Sequence, residues 1–270
     1  MSTFNEWWTG TDTNAALPFP AGSGVAPEHF YIGRIGGETT ASVYGFDIKA
    51  AKAATKTFAY WDLAGPGTIA EPAIWGSKQA ESFFLAVTTQ HYVQGRTLFL
   101  DVESGNGGWG THIASNQATF AGALNALALQ HIVPGVYISE YEWVQFFGSA
   151  SWSPDVPFVL WLAGNADPTL GLAIASWDRL PTLGGMQPML WQYNSSGSTA
   201  SPLQDRNLTP YGGWLDGAWK PTPVATVVKP APIVIPATKT PIEVAMAQLN
   251  TAATELQKGI ELVQALQPKG

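Results

Sequence analysis

Apolar and polar positions fall into two alternating kinds of segment along the first 210 or so residues. Short, mostly apolar runs rich in aromatic and β-branched residues recur between longer stretches whose apolar residues repeat every three or four positions. The first kind reads as buried strand and the second as helix. Strands are expected at residues 30–35 (FYIGRI), 57–63 (TFAYWDL), 97–102 (TLFLDV), 133–139 (VPGVYIS), 157–163 (PFVLWLA), 188–193 (PMLWQY) and 203–208 (LQDRNL). Helices are expected at 46–55, 73–92, 113–130 and 140–147, and little helix fits between the last three strands. A further strand near residues 7–12 makes eight. Strands alternating with helices imply parallel pairing and right-handed crossovers. The expected fold is therefore α/β: an irregular, eight-stranded, TIM-like (β/α) barrel over residues 1–217, with few late helices.

The pattern changes after Trp219. Residues 220–240 (KPTPVATVVKPAPIVIPATKT) hold five prolines and no helical period, so residues 218–240 read as an extended Pro-rich linker. Thr240-Pro241-Ile242-Glu243 then has the form of a helix start, with a capping threonine, proline in the first turn and a glutamate that completes a capping box. Ile242, Met246, Leu249, Ala253, Leu256, Ile260, Val263 and Gln267 follow at alternating spacings of four and three. That is a coiled-coil seam on an amphipathic helix over 241–268. Two readings stay open. The stripe from Ile242 to Val263 serves self-association or docking into a larger assembly, or the helix packs back on the barrel.

Composition narrows the partners. Only 12% of residues are charged, against roughly 25% in an average domain, and tryptophan occurs 12 times. The surface therefore presents few charges, and parts of it are expected to meet partners or to carry aromatic rings that stack on sugars. The net charge of −7 has no basic patch behind it, which argues against nucleic acid. Cysteine is absent, which excludes disulfides, thiolate metal sites and a cysteine nucleophile. The amino terminus lacks the charged and apolar regions of a signal peptide, and no apolar run has membrane-spanning length. A soluble protein is expected, released by other means if it acts outside its cell of synthesis. His29, His91, His112 and His131 are scattered without metal-ligand spacing and read as structural. The glycine-rich stretches lack a following Lys-Ser/Thr, and no Gly-x-Ser-x-Gly elbow occurs. Neither a metal nor another cofactor is expected.

The clearest chemical signal is Leu98-Phe99-Leu100-Asp101-Val102-Glu103-Ser104-Gly105. An apolar strand ends in Asp-x-Glu and enters a glycine-rich loop. Residues two apart on a strand share a face, so Asp101 and Glu103 would both point into the mouth at the carboxyl ends of the strands. Two close carboxylates repel, and one tends to keep its proton, as a general acid for a glycosidic oxygen must. The alternative is ordinary strand-end carboxylates that cap a helix or form salt bridges.

Further motifs follow in order: Gly135-Val136-Tyr137-Ile138-Ser139, Trp161-Leu162-Ala163, Trp191-Gln192-Tyr193 and Asp205-Arg206-Asn207. With Asp101-Val102-Glu103 they make five, spread over the barrel region, and the series resembles the lysozymes of glycoside hydrolase family 25. Residues 30–37 (FYIGRIGG) look like that family's second strand. The resemblance implies a peptidoglycan-cleaving barrel. It implies Glu103 as general acid, Asp101 as the group that tunes it or orients the substrate N-acetyl group, and Asp205 as a second carboxylate across the mouth. It calls for an aspartate on the first strand in a Gly-x-Asp-x-Ser setting, and Gly10-Thr11-Asp12-Thr13 is the candidate, with threonine for serine. Trp61 stands where the family has histidine after a tyrosine, and Asp62 is either a substitute at the mouth or a strand-end cap.

Trp61, Trp109, Tyr137, Trp161, Trp191 and Tyr193 sit at expected strand ends or loops and are candidates for stacking on sugar rings. Core packing is the competing role for about half of them, and least so for Trp109 in the loop GNGGWG. Three functional classes fit: a bacteriophage virion-associated protein with a lysozyme-like domain, active or not; a free endolysin awaiting release in the host cytoplasm; and a non-catalytic glycan-binding or structural module. A globular head on a linker and an oligomeric foot favours the first.

Overall fold

The apolar runs pair side by side in the computed structural model, which describes residues 7–13, 29–41, 51–52, 54–89, 93, 96–164, 170–194 and 205–210. All fall within the first of the two units into which the chain divides, Met1–Val227. The strands are β1 (Trp7–Thr13), β2 (Phe30–Gly37), β3 (Thr40–Ala41), β4 (Lys56–Asp62), β5 (Thr97–Asp101), β6 (Val133–Ser139), β7 (Val159–Ala163), β8 (Pro188–Asn194) and β9 (Asp205–Pro210). The helices are α1 (Pro72–Thr88), α2 (Ile113–Leu129), α3 (Glu140–Phe147) and α4 (Leu170–Ser176). The order β1-β9-β8-β7-β6-β5-β4-β2 closes through a β1–β2 pairing into an eight-stranded barrel, with β3 as a short hairpin arm on β2.

The expected irregular barrel with few late helices is present, with one departure. Strands β1, β2 and β4 to β8 are parallel, but β9 runs antiparallel to both β8 and β1. A hydrophobic run does not encode strand direction, so parallel pairing throughout was an over-extension of the alternation rule. Among the described residues, only α4 and a 3-10 turn at Trp177–Arg179 separate β7 from β8. The calls at 218–240 and 241–268 lie outside the described residues. So does most of the helix expected at 46–55, of which Ala51 and Lys52 are helical.

Two apolar layers hold the wall. Inside the barrel, Phe30, Ile32, Phe58, Phe99, Val159 and Leu190 form a floor under Tyr60, Tyr137 and Trp161. Outside, Trp61, Leu98, Leu100, Ile138, Leu160, Trp191 and Tyr193 pack against helix residues such as Phe83, Phe120 and Trp143. The strands are thus apolar on both faces, as strands covered by crossover helices are. Helices α1 and α2 approach closely because a side chain is missing from each. A Cβ on Gly76 would collide with the Thr119 carbonyl, and one on Gly122 with that of Ala73.

Helix α3 is well terminated. The Ser139 hydroxyl accepts the Glu142 N–H at its start, and Gly148, at φ 85°, adopts the left-handed conformation that closes its end.

Candidate active site

Strand parity decides what reaches the mouth. On β4, Phe58 and Tyr60 face the interior while Ala59 and Trp61 face the helices, so Asp62 at the strand end turns toward the mouth. On β5, Phe99 is interior and Leu98 and Leu100 are exterior, which directs Asp101 inward. Glu103 keeps an extended backbone at φ −131°, ψ 156°, so it stays on the same side before the chain turns at Ser104–Asn106. Strand β8 places Leu190 and Gln192 inside and Trp191 and Tyr193 outside. The reversed direction of β9 brings its first residue to the same end as the last residues of the parallel strands, and Asp205 stands in register with Asp12 of β1.

The resulting cleft is lined by Asp12, Tyr60, Asp101, Glu103, Tyr137, Trp161, Gln192 and Asp205. The four carboxylates expected from sequence therefore share one cleft. Asp12 belongs to a genuine strand even though WWTGTDT shows no clear apolar period.

Amide side chains divide these acids between them. Asn207 Nδ2 donates to Asp12 Oδ1 at 2.6 Å, while its own Oδ1 accepts from Trp161 Nε1 at 2.8 Å. Gln192 Nε2 reaches Asp12 Oδ1 at 3.3 Å and Asp205 Oδ2 at 3.2 Å, and its Oε1 accepts from the Tyr137 hydroxyl at 2.7 Å. On the other side, Asn106 Nδ2 donates to the Asp101 carbonyl at 2.7 Å and to its Oδ1 at 3.3 Å. Asp62 is tied up by Arg34 at 2.5 Å. It acts on the cleft through its charge, which is felt at Asp101, Glu103 and Tyr60.

Burial and mutual repulsion push these acids toward their protonated forms. Asp12 is pushed up to about 8, first by burial and then by the facing charge of Asp205, against the pull of Asn207 and Gln192. Asp101 is raised well above the usual carboxylate range by burial and by Glu103. Burial together with Glu142 raises Glu103, and a hydrogen bond from Tyr137 opposes the rise. The Tyr137 hydroxyl has a single proton, which Gln192 Oε1 accepts in this structure, so Glu103 and Gln192 compete for it. Asp62 rises to about 6 through burial, held back by Arg34. Among the described residues, no group of three His, Cys, Asp or Glu is placed to hold a metal ion.

The aromatic expectations need correction. Tyr137 and Trp161 line the cleft. Trp61, Trp191 and Tyr193 do not, because odd-numbered positions on β4 and β8 face outward. Trp61 is fully buried, stacks on Phe83 at 5.6 Å and donates its Nε1–H to the Glu38 carbonyl. Trp191 and Tyr193 are buried in the same outer layer. Trp109 also packs against that layer, stacked on Phe146 at 5.4 Å, with its Nε1–H on the Leu63 carbonyl. Trp61 therefore belongs to the outer core and not to the cleft.

Sequence reasoning passed over Tyr60, Gln192 and Asn207 as site residues. Each lies next to, or two from, a residue it singled out, and knowing the parity of the strand would have selected them.

The sequence matches no family model and no curated protein. Solved structures do match in three dimensions. A family GH25 lysozyme from Aspergillus fumigatus superposes with a TM-score of 0.52 at 15% identity, over 77% of this chain and 95% of that one. A muramidase from Trichobolus zukalii superposes with a TM-score of 0.51 at 18% identity, over 78% of this chain and 100% of that one. The modular autolysin LytC from Streptococcus pneumoniae, in complex with a synthetic peptidoglycan ligand, gives a TM-score of 0.50 at 12% identity, over 75% of this chain and 46% of that one. At these identities the likeness is one of fold: the barrel has the architecture of the GH25 muramidases.

Proposed function

We propose that the barrel is a peptidoglycan glycosidase that cuts the β-1,4 bond of the wall glycan, with Glu103 as its general acid. The observation that carries this reading is the convergence of Asp12, Asp101, Glu103 and Asp205 on one cleft at the carboxyl ends of the barrel strands. The muramidase-like architecture supports it.

Glu103 is the less buried member of the Asp101–Glu103 pair, and its raised pKa favours the protonated form of a carboxyl that substrate can reach. In the reaction, that proton passes to the glycosidic oxygen as the bond from the anomeric carbon to that oxygen breaks. Water supplies hydroxide to the anomeric carbon, and its remaining proton restores the acid. Positive charge that develops on the sugar ring falls beside Asp205, whose charge is felt at Asp12, Glu103 and Tyr137. Asp101, itself raised by burial and by the Glu103 charge, orients the N-acetyl group as a neutral acid in this reading. Tyr137 and Trp161 line the cleft that takes the sugar, and Gln192 and Asn207 hold the Asp12–Asp205 side in shape.

The setting belongs to the same proposal. The barrel is the head of a bacteriophage virion-associated protein, joined through residues 218–240 to a helix whose stripe from Ile242 to Val263 self-associates or docks. The support is the heptad spacing of that stripe. A second reading, glycan binding or architecture without turnover, is favoured by one observation. The cleft aromatics Tyr60, Tyr137 and Trp161 are 4%, 9% and 1% exposed, so they offer little face to a sugar ring.

The test is digestion of purified peptidoglycan from several wall types by the full chain, with the products identified by mass. New reducing ends on N-acetylmuramic acid are expected. Glycan that stays intact while the protein sediments with the walls would favour the second reading.

A further inference from the structure

The start of α3 lies against the segment that carries Glu103, and one acid there has no part in the chemistry above. Glu142 is half-buried. Its Oε1 accepts two hydrogen bonds from Ser104, the residue after Glu103: the backbone N–H at 2.8 Å and the hydroxyl at 3.0 Å. Its Oε2 accepts the Ser139 hydroxyl at 2.8 Å, and the Ser139 Oγ in turn accepts the Glu142 N–H at 3.1 Å. Three hydrogen bonds thus converge on this side chain, one from a backbone N–H and two from hydroxyls.

The pattern is a capping box turned to another use. The glutamate three residues past the cap would usually reach back to the cap's own N–H. Here it reaches across to the next strand's end and fastens the loop after β5 to the loop after β6. Asn106 holds the same segment from the other side through the Asp101 carbonyl. The backbone that aims Glu103 is therefore fixed at both ends.

We propose that Glu142 is a positioning residue for Glu103, one that clamps Ser104 and holds a second carboxyl group at a fixed place near Glu103. Other groups also face Glu103. Asp62, neutralised in part by Arg34, comes from β4, Tyr137 from β6, Asp205 from β9, Asp12 from β1 and Asp101 from its own strand. Most of these either titrate upward themselves or share protons. Glu142 is held in place by three hydrogen bonds, so its influence on Glu103 acts from a fixed position.

The inference rests on Glu103 being the acid, but its test does not need turnover. Glu103 is titrated through its side-chain carboxyl carbon by NMR in the full chain, assigned by the signal's absence in Glu103→Gln, and compared in wild type, Glu142→Gln and Glu142→Asp. Glu142→Gln keeps an acceptor for Ser104 and removes the charge. Its Glu103 midpoint is expected to fall, on the order of half a unit to one unit, with Glu142→Asp lying between. The alkaline limb of kcat/KM on peptidoglycan should move to lower pH by the same amount, with the melting temperature little changed. An unchanged Glu103 midpoint in folded Glu142→Gln would overturn the inference, whether or not the protein cuts the wall. A shifted midpoint without any cutting by wild type would sustain it and defeat the glycosidase reading alone.

Discussion

The inner and outer faces of the barrel wall are made from neighbouring residues with opposite fates. Tyr60, Asp101, Tyr137, Trp161 and Gln192 point to the cleft, while Trp61, Leu100, Ile138, Leu160 and Trp191, each one residue away, are packed under the helices. The outer face is close to uniformly apolar and behaves as core. The inner face is apolar only on the floor and turns polar at the mouth, where acids, amides and one phenol satisfy one another. The same wall is thus a packing surface on one side and a reaction surface on the other. Substitutions one position apart should differ in kind as well as in size.

The largest effect is expected on the outer face. Trp61→Ala removes a fully buried indole stacked on Phe83. It should cost about 3–5 kcal/mol in stability by chemical denaturation, with KM for wall substrate unchanged in the folded fraction. A raised KM at unchanged stability would return Trp61 to the cleft.

Next comes the pH dependence of stability, which belongs to the inner face. The folded-state pKa of Asp12 is about 8, against an ordinary value of 3.8, so the folded protein holds a proton that the unfolded chain releases. The resulting stability is full below about pH 4 and is lost as the pH climbs through about 8. Melting temperature should fall over that window. Asp12→Asn should remove part of the fall, a difference on the order of 5 °C at pH 8 that closes toward pH 4. Parallel curves for the two proteins would mean that Asp12 is ionised at neutral pH.

The smallest effect is one oxygen atom. Tyr137→Phe deletes the donor to Gln192 and the hydrogen bond available to Glu103. Because that bond lowers the Glu103 pKa, the alkaline limb of the pH–rate profile should move upward. The rate should fall on the order of tenfold, equivalent to about 1.4 kcal/mol, while the melting temperature moves by only a few degrees. A large loss of stability with no displacement of the profile would mark Tyr137 as core.

These contrasts also explain what the sequence could and could not convey. Strand and helix positions were legible because runs such as TLFLDV and VPGVYIS are short, apolar and bounded, and β6 and α3 match their expected limits. Parity was not legible, because strands covered on both sides lack the apolar–polar alternation that shows which face is inside. That is why Trp191 and Tyr193 were chosen over Gln192, and Trp61 over Tyr60. The Asp101–Glu103 pair was legible because Asp101 ends β5 and Glu103 continues its extended backbone, so a shared face follows from spacing alone. The Asp12–Asp205 pairing joins residues far apart in the chain through an antiparallel strand. Its ends came into view only through resemblance, and its direction not at all. The Ser139–Glu142 spacing was available in the sequence, but a capping box gives no hint that its glutamate bonds Ser104 instead of its own cap.

The central claim is that an acid on the inner face does chemistry on the wall glycan, and the most direct measurement is release of reducing ends from purified peptidoglycan by wild type beside Glu103→Gln. The account predicts steady release by wild type and a loss on the order of 10³-fold in the variant, with both proteins equally folded. Equal release by the two, or none by well-folded wild type on any wall, would contradict it.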